Sequence, residues 1–320
     1  MMKHDAVIYV AGHAGLIGSA VIRRLEQNGY RTPITRRRGE LDLQNSGQVS
    51  EFFEEAHPEY VILAAGRVGG IVENQTFPAD FMDENMAIQL NLLKAARRVG
   101  VRRLILFGSS CMYPRECPQP MAEHALLSGK PEPTSLPYAI SKLAGTYLCL
   151  AYNKQDHDTR FIPVIPNSAY GPHDNFDPKS AHVLSALMAR FHQAKVSGAE
   201  SVVLWGSGSP RREFIHADDI ADACVHLLRQ DDLAVELPIN IGVGQDVSIK
   251  ELAELIAEAV GYQGRVEWDR TKPDGAPRKL LDSERIRSLG WKPTVTLAEG
   301  IAATYQWYLN HVDRETSQVS

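Results

Sequence analysis

Four continuous apolar runs, each ending in small or turn-forming residues, set the frame of this chain. Ala6-Val7-Ile8-Tyr9-Val10-Ala11 is rich in β-branched residues; Tyr60-Val61-Ile62-Leu63-Ala64-Ala65-Gly66, Leu104-Ile105-Leu106-Phe107 and Phe161-Ile162-Pro163-Val164-Ile165-Pro166 repeat the pattern. Runs without polar alternation read as strands buried on both faces, as in a parallel sheet covered by helices. Ser19 to Leu25 and Asn85 to Val99 carry apolar residues at helical intervals, and Tyr30 to Thr35 reads as a second strand. Strand–helix–strand alternation predicts an α/β fold built on a doubly wound parallel sheet.

The second half changes character. Tyr170 to Ser180, rich in Pro, Gly and Asp, reads as a loop leaving the sheet, followed by an amphipathic helix from His182 to Gln193. His216-Ala217-Asp218-Asp219-Ile220 opens a helix with acids in its first turn, where they suit the dipole. Ile239-Asn240-Ile241-Gly242 reads as a strand, and Ser248-Ile249-Lys250-Glu251 is a capping box before the helix Leu252 to Val260. The polar tail after Trp307 is expected to fray.

With 320 residues, 44% of them hydrophobic, the chain can bury a large core and an appended lobe. A net charge of −5 offers no footprint for nucleic acid. No apolar run approaches the ~18 residues of a membrane span, and the chain enters a short strand soon after Met1, so a cytoplasmic protein is expected. Cys111, Cys117, Cys149 and Cys224 show no metal-ligand spacing and form no disulfide framework, which fits a reducing compartment without a metal site.

Candidate chemistry gathers where strands end. Gly12-His13-Ala14-Gly15-Leu16-Ile17-Gly18 stands between the first strand and a helix. Glycines there permit a tight turn and close approach of a pyrophosphate to backbone N–H groups at the helix N-terminus, making Gly12, Gly15, Leu16, Ile17 and Gly18 the candidate cofactor cradle. The second strand ends in Arg36-Arg37-Arg38, with no acid where a free ribose 2′-hydroxyl would need one. Arginine suits bidentate phosphate contact, so Arg36 and Arg38 favour NADP over NAD. Asp42 is placed to reach an adenine edge, the small residues Ala64 and Ala65 let a dinucleotide lie across the strand end, and Val68 in the following glycine-containing loop is a candidate substrate or nicotinamide contact.

Gly108-Ser109-Ser110-Cys111-Met112-Tyr113-Pro114 closes the Leu104 strand, and Thr134-Ser135-Leu136-Pro137 supplies N-cap and first-turn residues for a helix bearing Tyr138 and Lys142 at i and i+4. A neighbouring ammonium is expected to lower the phenol's pKa by stabilising phenolate. Tyr138 can then protonate the alkoxide formed when a carbonyl accepts hydride, helped by a hydrogen bond from Ser109 or Ser110, while Lys142 holds the nicotinamide ribose. Taken alone, Tyr-x-x-x-Lys is a common helix-surface pair; the glycine turn and the serine-rich strand end turn it into a catalytic constellation.

Gly12-x-x-Gly15-x-x-Gly18, Ser109 and Tyr138-x-x-x-Lys142 together resemble the extended short-chain dehydrogenase/reductase superfamily of nucleotide-sugar enzymes, a Rossmann fold with a smaller C-terminal α/β substrate lobe. The resemblance runs nearly end to end, through Val68-Gly69-Gly70-Ile71, Tyr170-Gly171-Pro172-His173-Asp174-Asn175-Phe176, Trp205-Gly206-Ser207-Gly208-Ser209-Pro210, Arg212-Glu213-Phe214 and Pro273-Asp274-Gly275-Ala276-Pro277-Arg278-Lys279-Leu280. It is narrowest toward members that epimerise and reduce a GDP-linked 4-keto-6-deoxy sugar with NADPH. It implies that Cys111 and His182 exchange protons at sugar positions 3 and 5, with His182 also beside the cofactor. It further implies that Arg190, Trp205, Arg212 and Lys279, with Asp282 more weakly, surround the GDP-sugar, and that the protein is a homodimer through helices next to the sheet. The implied layout is an NADP-binding domain over 1–166 that also takes in 213–245, and a substrate lobe over 167–212 and 246–320.

The chemistry agrees, because hydrogens next to a ketone are acidified and inversion needs a base on one face and an acid on the other. Two places depart from the resemblance. Asn167-Ser168-Ala169 shifts the asparagine usually found before Tyr-Gly-Pro by one position, and Ala14 stands where an arginine is common, leaving more of the phosphate to Arg36 through Arg38. The alternatives are a related 4-ketoreductase or single-site epimerase on another nucleotide sugar and, from another class, a non-catalytic NADP-binding regulatory protein.

Overall fold

The computed structural model describes residues 2–156, 160–177, 180–272 and 274–319. In chain order the first half contains β1 (Ile8–Ala11), α1 (Leu16–Gln27), α2 (Ser46–Ala56), β2 (Tyr60–Leu63), α3 (Ile71–Thr76), α4 (Pro78–Arg98), β3 (Arg103–Phe107), α5 (Leu136–Gln155) and β4 (Arg160–Pro166). The second half contains β5 (Ser168–Tyr170), α6 (Val183–Ser197), β6 (Ser201–Trp205), β7 (Arg211–Arg212), β8 (Phe214–His216), α7 (Ala217–Leu228), β9 (Ile239–Ile241), β10 (Val247–Ser248), α8 (Ile249–Val260), β11 (Arg265–Asp269), β12 (Arg278–Lys279), α9 (Glu284–Ser288) and α10 (Leu297–Val319).

The main sheet runs β1-β2-β3-β4-β9, all parallel. Alternate residues of its buried strands feed two cores. Ile8, Val10, Ile62, Ile105, Phe107, Ile162 and Val164 pack toward α1 and α7. Tyr9, Val61, Leu63, Leu104, Leu106 and Phe161 pack toward α2, α4 and α5 through Phe52, Phe53, Leu92, Leu93, Cys149 and Tyr152. The strand expected over Tyr30 to Thr35 reduces to one parallel bridge, Tyr9 to Ile34, with Ile34 N donating to Ile8 O and Val10 N donating to Ile34 O. Pro33 has no N–H to extend the ladder. Because this bridge and β2 lie on opposite sides of β1, the sheet changes direction at β1, and a crevice opens beyond its carboxyl end.

A third core joins α6, α8 and α10 to the strand pair β6–β11, through residues such as Leu184, Met188, Phe191, Leu204, Leu252, Ile256, Tyr305 and Tyr308. The small sheet β10-β7-β12 lies beside it. The expected fraying after Trp307 does not occur: α10 continues to Val319, with Tyr308 buried and Leu309 and Val312 packed on this core. Asp219 does more than face a helix dipole, since its buried carboxylate accepts from Thr294 N, Thr294 Oγ1 and Val295 N. Among the described residues no helix is long and apolar enough to cross a membrane.

Candidate active site

The first part of the site is the turn from β1 into α1. Gly12 has φ +79°, and a Cβ there would stand 2.6 Å from Ala65 N, so the turn closes directly onto the end of β2. A Cβ on Gly18 would stand 2.0 Å from Gly12 O, which presses α1 against the turn. Gly15 differs: its Cβ would meet only Gly12 O, at 3.6 Å, so it faces open space. Gly15 is the N-cap of α1, with no side-chain cap and no acid in the first turn, and the orphan N–H groups of Leu16 and Ile17 remain for an anion.

Beyond the turn lies a cleft of about 470 Å³ lined by Gly12, Gly15, Arg36, Arg37, Arg38, Asp42, Ala65 and Gly66, among others. The Arg36 guanidinium lies 5.3 Å from the Phe52 ring centroid and donates to Thr35 O at 2.9 Å. Among the described residues no carboxylate pairs with Arg36, Arg37 or Arg38. This open glycine turn and unneutralised arginine cluster fit a dinucleotide carrying an extra phosphate. Asp42 Oδ1 accepts from Gln44 N at 3.0 Å, and its other oxygen has no partner among the described residues. Sequence reading missed Asn85 and Arg67. Asn85 Oδ1 accepts from Arg67 N and Asn85 Nδ2 donates to Arg67 O, pinning the chain just past Gly66.

The second part is the end of β3. Ser109 caps a single 3₁₀ turn, Ser110–Met112, its Oγ accepting from Cys111 N at 3.2 Å. Tyr138 and Lys142, both buried, approach from α5. Ser109 and Cys111 both stand near enough to the Tyr138 phenol to act on its charge. Lys142 Nζ lies 5.9 Å from the Tyr138 ring centroid and donates to Phe107 O at 3.1 Å. A Cβ on Gly66 would stand 3.5 Å from Lys142 Nζ, so the cofactor cleft and this cluster adjoin.

The protonation states correct the sequence reading. Burial pushes the Tyr138 phenol well above its ordinary range, Cys111 adds to that, and only Ser109 opposes it. Burial brings the Lys142 ammonium down to about 8. The expected lowering of Tyr138 by Lys142 is absent, because both groups leave water together and each pays for its own charged form. Ser135 likewise occupies the N-cap of α5 without a side-chain hydrogen bond.

His182 is the exposed N-cap residue of α6 and makes no capping hydrogen bond. The carbonyls of Ser180 and Ala181 just before it face Gly70, where a Cβ would stand 3.4 Å from Ser180 O, so the Val68–Gly70 loop abuts the head of α6. Sequence reading also missed Asp174 near His182: burial raises its carboxyl, while the Ser185 hydroxyl, Asn175 N and His182 pull it down. Arg190 is exposed and donates to Val203 O at 3.1 Å. Trp205, at the end of β6, is 69% exposed, with Lys272 Nζ 5.6 Å from its ring centroid. Arg212 and Lys279 are register partners on β7 and β12. Arg212 is partly buried, its Nη1 donates to Arg211 O at 2.7 Å, and burial lowers its pKa; no carboxylate pairs with it among the described residues. Pro273, which begins one of the matched stretches, lies outside the described residues. Ser109, Ser110, Cys111, Tyr138 and Lys142 thus form one cluster, Arg212 and Lys279 a second, and Arg190 and Trp205 flank β6. Among the described residues no group of His, Cys, Asp or Glu could hold a metal ion.

Known proteins resemble the chain over nearly its whole length. The model of the NAD dependent epimerase/dehydratase family matches residues 8–242. GDP-L-fucose synthase 1 of Arabidopsis thaliana is 52% identical over 312 residues, covering 98% of this chain and 96% of its own. GDP-L-fucose synthase of Escherichia coli (strain K12) is 48% identical over 317 residues, covering 96% and 98%. A GDP-L-fucose synthetase from Naegleria fowleri, solved bound to NADP, superposes with a TM-score of 0.89 at 28% identity, covering 98% of this chain and 97% of that one.

Proposed function

This chain belongs to the NAD dependent epimerase/dehydratase family, and we propose that it converts GDP-4-keto-6-deoxy-D-mannose to GDP-L-fucose by epimerisation at positions 3 and 5 and reduction of the 4-ketone. The observation that carries the reading is that Cys111, a proton carrier with no role in hydride transfer, stands beside the Ser109–Tyr138–Lys142 cluster. The cofactor is NADP, held by Gly12, Gly15, Leu16, Ile17, Gly18, Ala64, Ala65 and Asp42, with Arg36 and Arg38 on its 2′-phosphate. When bound as NADPH it supplies the hydride to the 4-carbonyl.

Cys111 and His182 work from opposite faces of the sugar ring. One removes a hydrogen made acidic by the ketone, and the other returns a proton to the far side. Reduction then needs a proton at the 4-oxygen. Burial keeps the Tyr138 phenol protonated at neutral pH, the correct starting state for a general acid. Ser109 Oγ accepts from Cys111 N, which holds its hydroxyl beside Tyr138, and with substrate bound its O–H turns to the same oxygen. Below its pKa of about 8 Lys142 is cationic, and it holds the nicotinamide ribose beside Tyr138. The diphosphate rests on Arg212 and Lys279, and Trp205 with Arg190 flanks the rest of the GDP-sugar.

The test is incubation with GDP-4-keto-6-deoxymannose and NADPH in D₂O. Wild type consumes NADPH and gives fucose labelled at positions 3 and 5. Cys111→Ser loses the label, and Tyr138→Phe exchanges hydrogen without oxidising NADPH. Folded protein that leaves NADPH untouched with this and related 4-keto sugars refutes the reading.

The assembly proposed is a homodimer. α4 and α5 pack against each other and expose Met86, Leu90, Ile140 and Tyr147, an apolar face suited to the same face of a second copy. Sedimentation of wild type against Leu90→Glu/Ile140→Glu tests it. The cytoplasm is the proposed compartment. Residues 1–166 with 213–245 are proposed as the NADP-binding domain, and 167–212 with 246–320 as the substrate lobe.

A further inference from the structure

Glu213 directly follows Arg212 in the chain. The structure separates them. Glu213 lies at the junction between β7 and β8, and its side chain enters the interior, where it is fully buried, while Arg212 stays only partly buried. Its Oε2 accepts from Asn167 Nδ2 at 2.7 Å and from Leu281 N at 3.0 Å, and its Oε1 accepts from Gly244 N at 2.7 Å. Glu213 N donates to Lys279 O at 3.2 Å, and Asn167 Nδ2 reaches the same carbonyl at 3.3 Å. One carboxylate therefore ties together the β4–β5 junction, the β7–β8 junction, the loop after β9 and the segment after β12. A Cβ on Gly242 would stand 2.5 Å from Glu213 Oε1, so glycine at that place lets the backbone close over the carboxylate.

Two consequences follow for the substrate side. The junction fixes the backbone of the β7–β12 pair, which carries Arg212 and Lys279, against the sheet end that carries the reacting groups. The acid next to Arg212 also has its lone pairs occupied by backbone and amide donors, so it cannot neutralise the guanidinium. We propose that Glu213 is a positioning residue for the GDP-sugar: it registers Arg212 and Lys279 on the sheet and keeps the Arg212 cation free for the diphosphate. This rests on the function proposed above.

The test compares wild type, Glu213→Gln and Asn167→Ala by calorimetric titration with GDP, GMP and NADPH, together with steady-state kinetics. An amide at position 213 presents an N–H group to surrounding N–H donors, so the junction loosens while the glycine turn, far along the chain, is untouched. For Glu213→Gln the GDP Kd and the GDP-sugar KM should rise at least ~10-fold, more for GDP than for GMP, with NADPH affinity and kcat at saturation within ~3-fold of wild type. Asn167→Ala removes one donor and keeps the carboxylate, and should weaken GDP alone by ~3-fold; it decides the matter if Glu213→Gln does not fold. Unchanged GDP affinity, or equal losses for GDP and NADPH, overturns the proposal. Wild-type protein that binds NADPH but not GDP overturns the GDP-sugar reading itself, and this proposal with it.

Discussion

Replacing Lys142 with Met gives a direct measure of how the reacting cluster is charged. Burial sets the Lys142 pKa at about 8 in the fold, against 10.5 for the free side chain. Between those values the unfolded chain holds a proton that the folded chain has released, so stability rises with pH across the window. Below pH 8 the folded protein must keep a buried ammonium, and that penalty is fully present. The slope is about 1.4 kcal/mol per pH unit, and integrated over the window it comes to about 3 kcal/mol. The Met variant has no such proton. Urea unfolding of both proteins from pH 7 to 10.5, without nucleotide, gives a difference in which other titrating groups cancel. That difference should be flat below pH 8, climb in favour of wild type, and level off near pH 10.5. The turnover of wild type should fall over the same range, because the cation that holds the nicotinamide ribose beside Tyr138 disappears. A stability difference that is flat over the whole range refutes the reasoning: Lys142 would then be solvated or ion-paired, and its charge would owe nothing to burial.

The glycine turn offers a pair of opposite outcomes. Gly18→Ala drives a Cβ to within 2.0 Å of Gly12 O and should cost at least about 3 kcal/mol in denaturant unfolding. Gly15→Ala meets nothing nearer than 3.6 Å, so it should keep its stability and weaken NADPH binding ~10-fold by filling space the pyrophosphate needs. Arg36→Ala should raise the Kd for NADPH ~10-fold by fluorescence titration and leave NADH unchanged, since only NADPH carries the 2′-phosphate. Asn85→Ala removes the hydrogen bonds to Arg67 N, Arg67 O and Phe81 O from a buried site, and should lower unfolding free energy by about 2–3 kcal/mol.

Local features were legible in the chain before any fold was known. Unbroken apolar runs became β1 through β4, glycine spacing marked the β1–α1 turn, Ser248 and Glu251 formed the capping box, and Tyr138 and Lys142 shared one face of α5. Each follows from periodicity or from backbone conformations open to particular residues, and the deciding atoms lie within a few residues of one another. Pro33 shows the limit of that reading: its missing N–H was visible, but whether Tyr30 to Thr35 could still form a strand depended on what β1 offered beside it.

What tertiary structure alone decided was the state of the groups. The Tyr138 phenol is raised rather than lowered because burial, a sum over surroundings drawn from the whole chain, is the largest influence on it, with Cys111 adding to it. Asn85 takes part in the cofactor cleft through Arg67, 18 residues earlier. Glu213 does not pair with Arg212, because its own donors come from 46, 31 and 68 residues away. The sequence determined which side chains could do this chemistry and which elements carry them. The fold determined their charges and their partners, because desolvation and hydrogen bonding depend on segments that become neighbours only when the chain has closed.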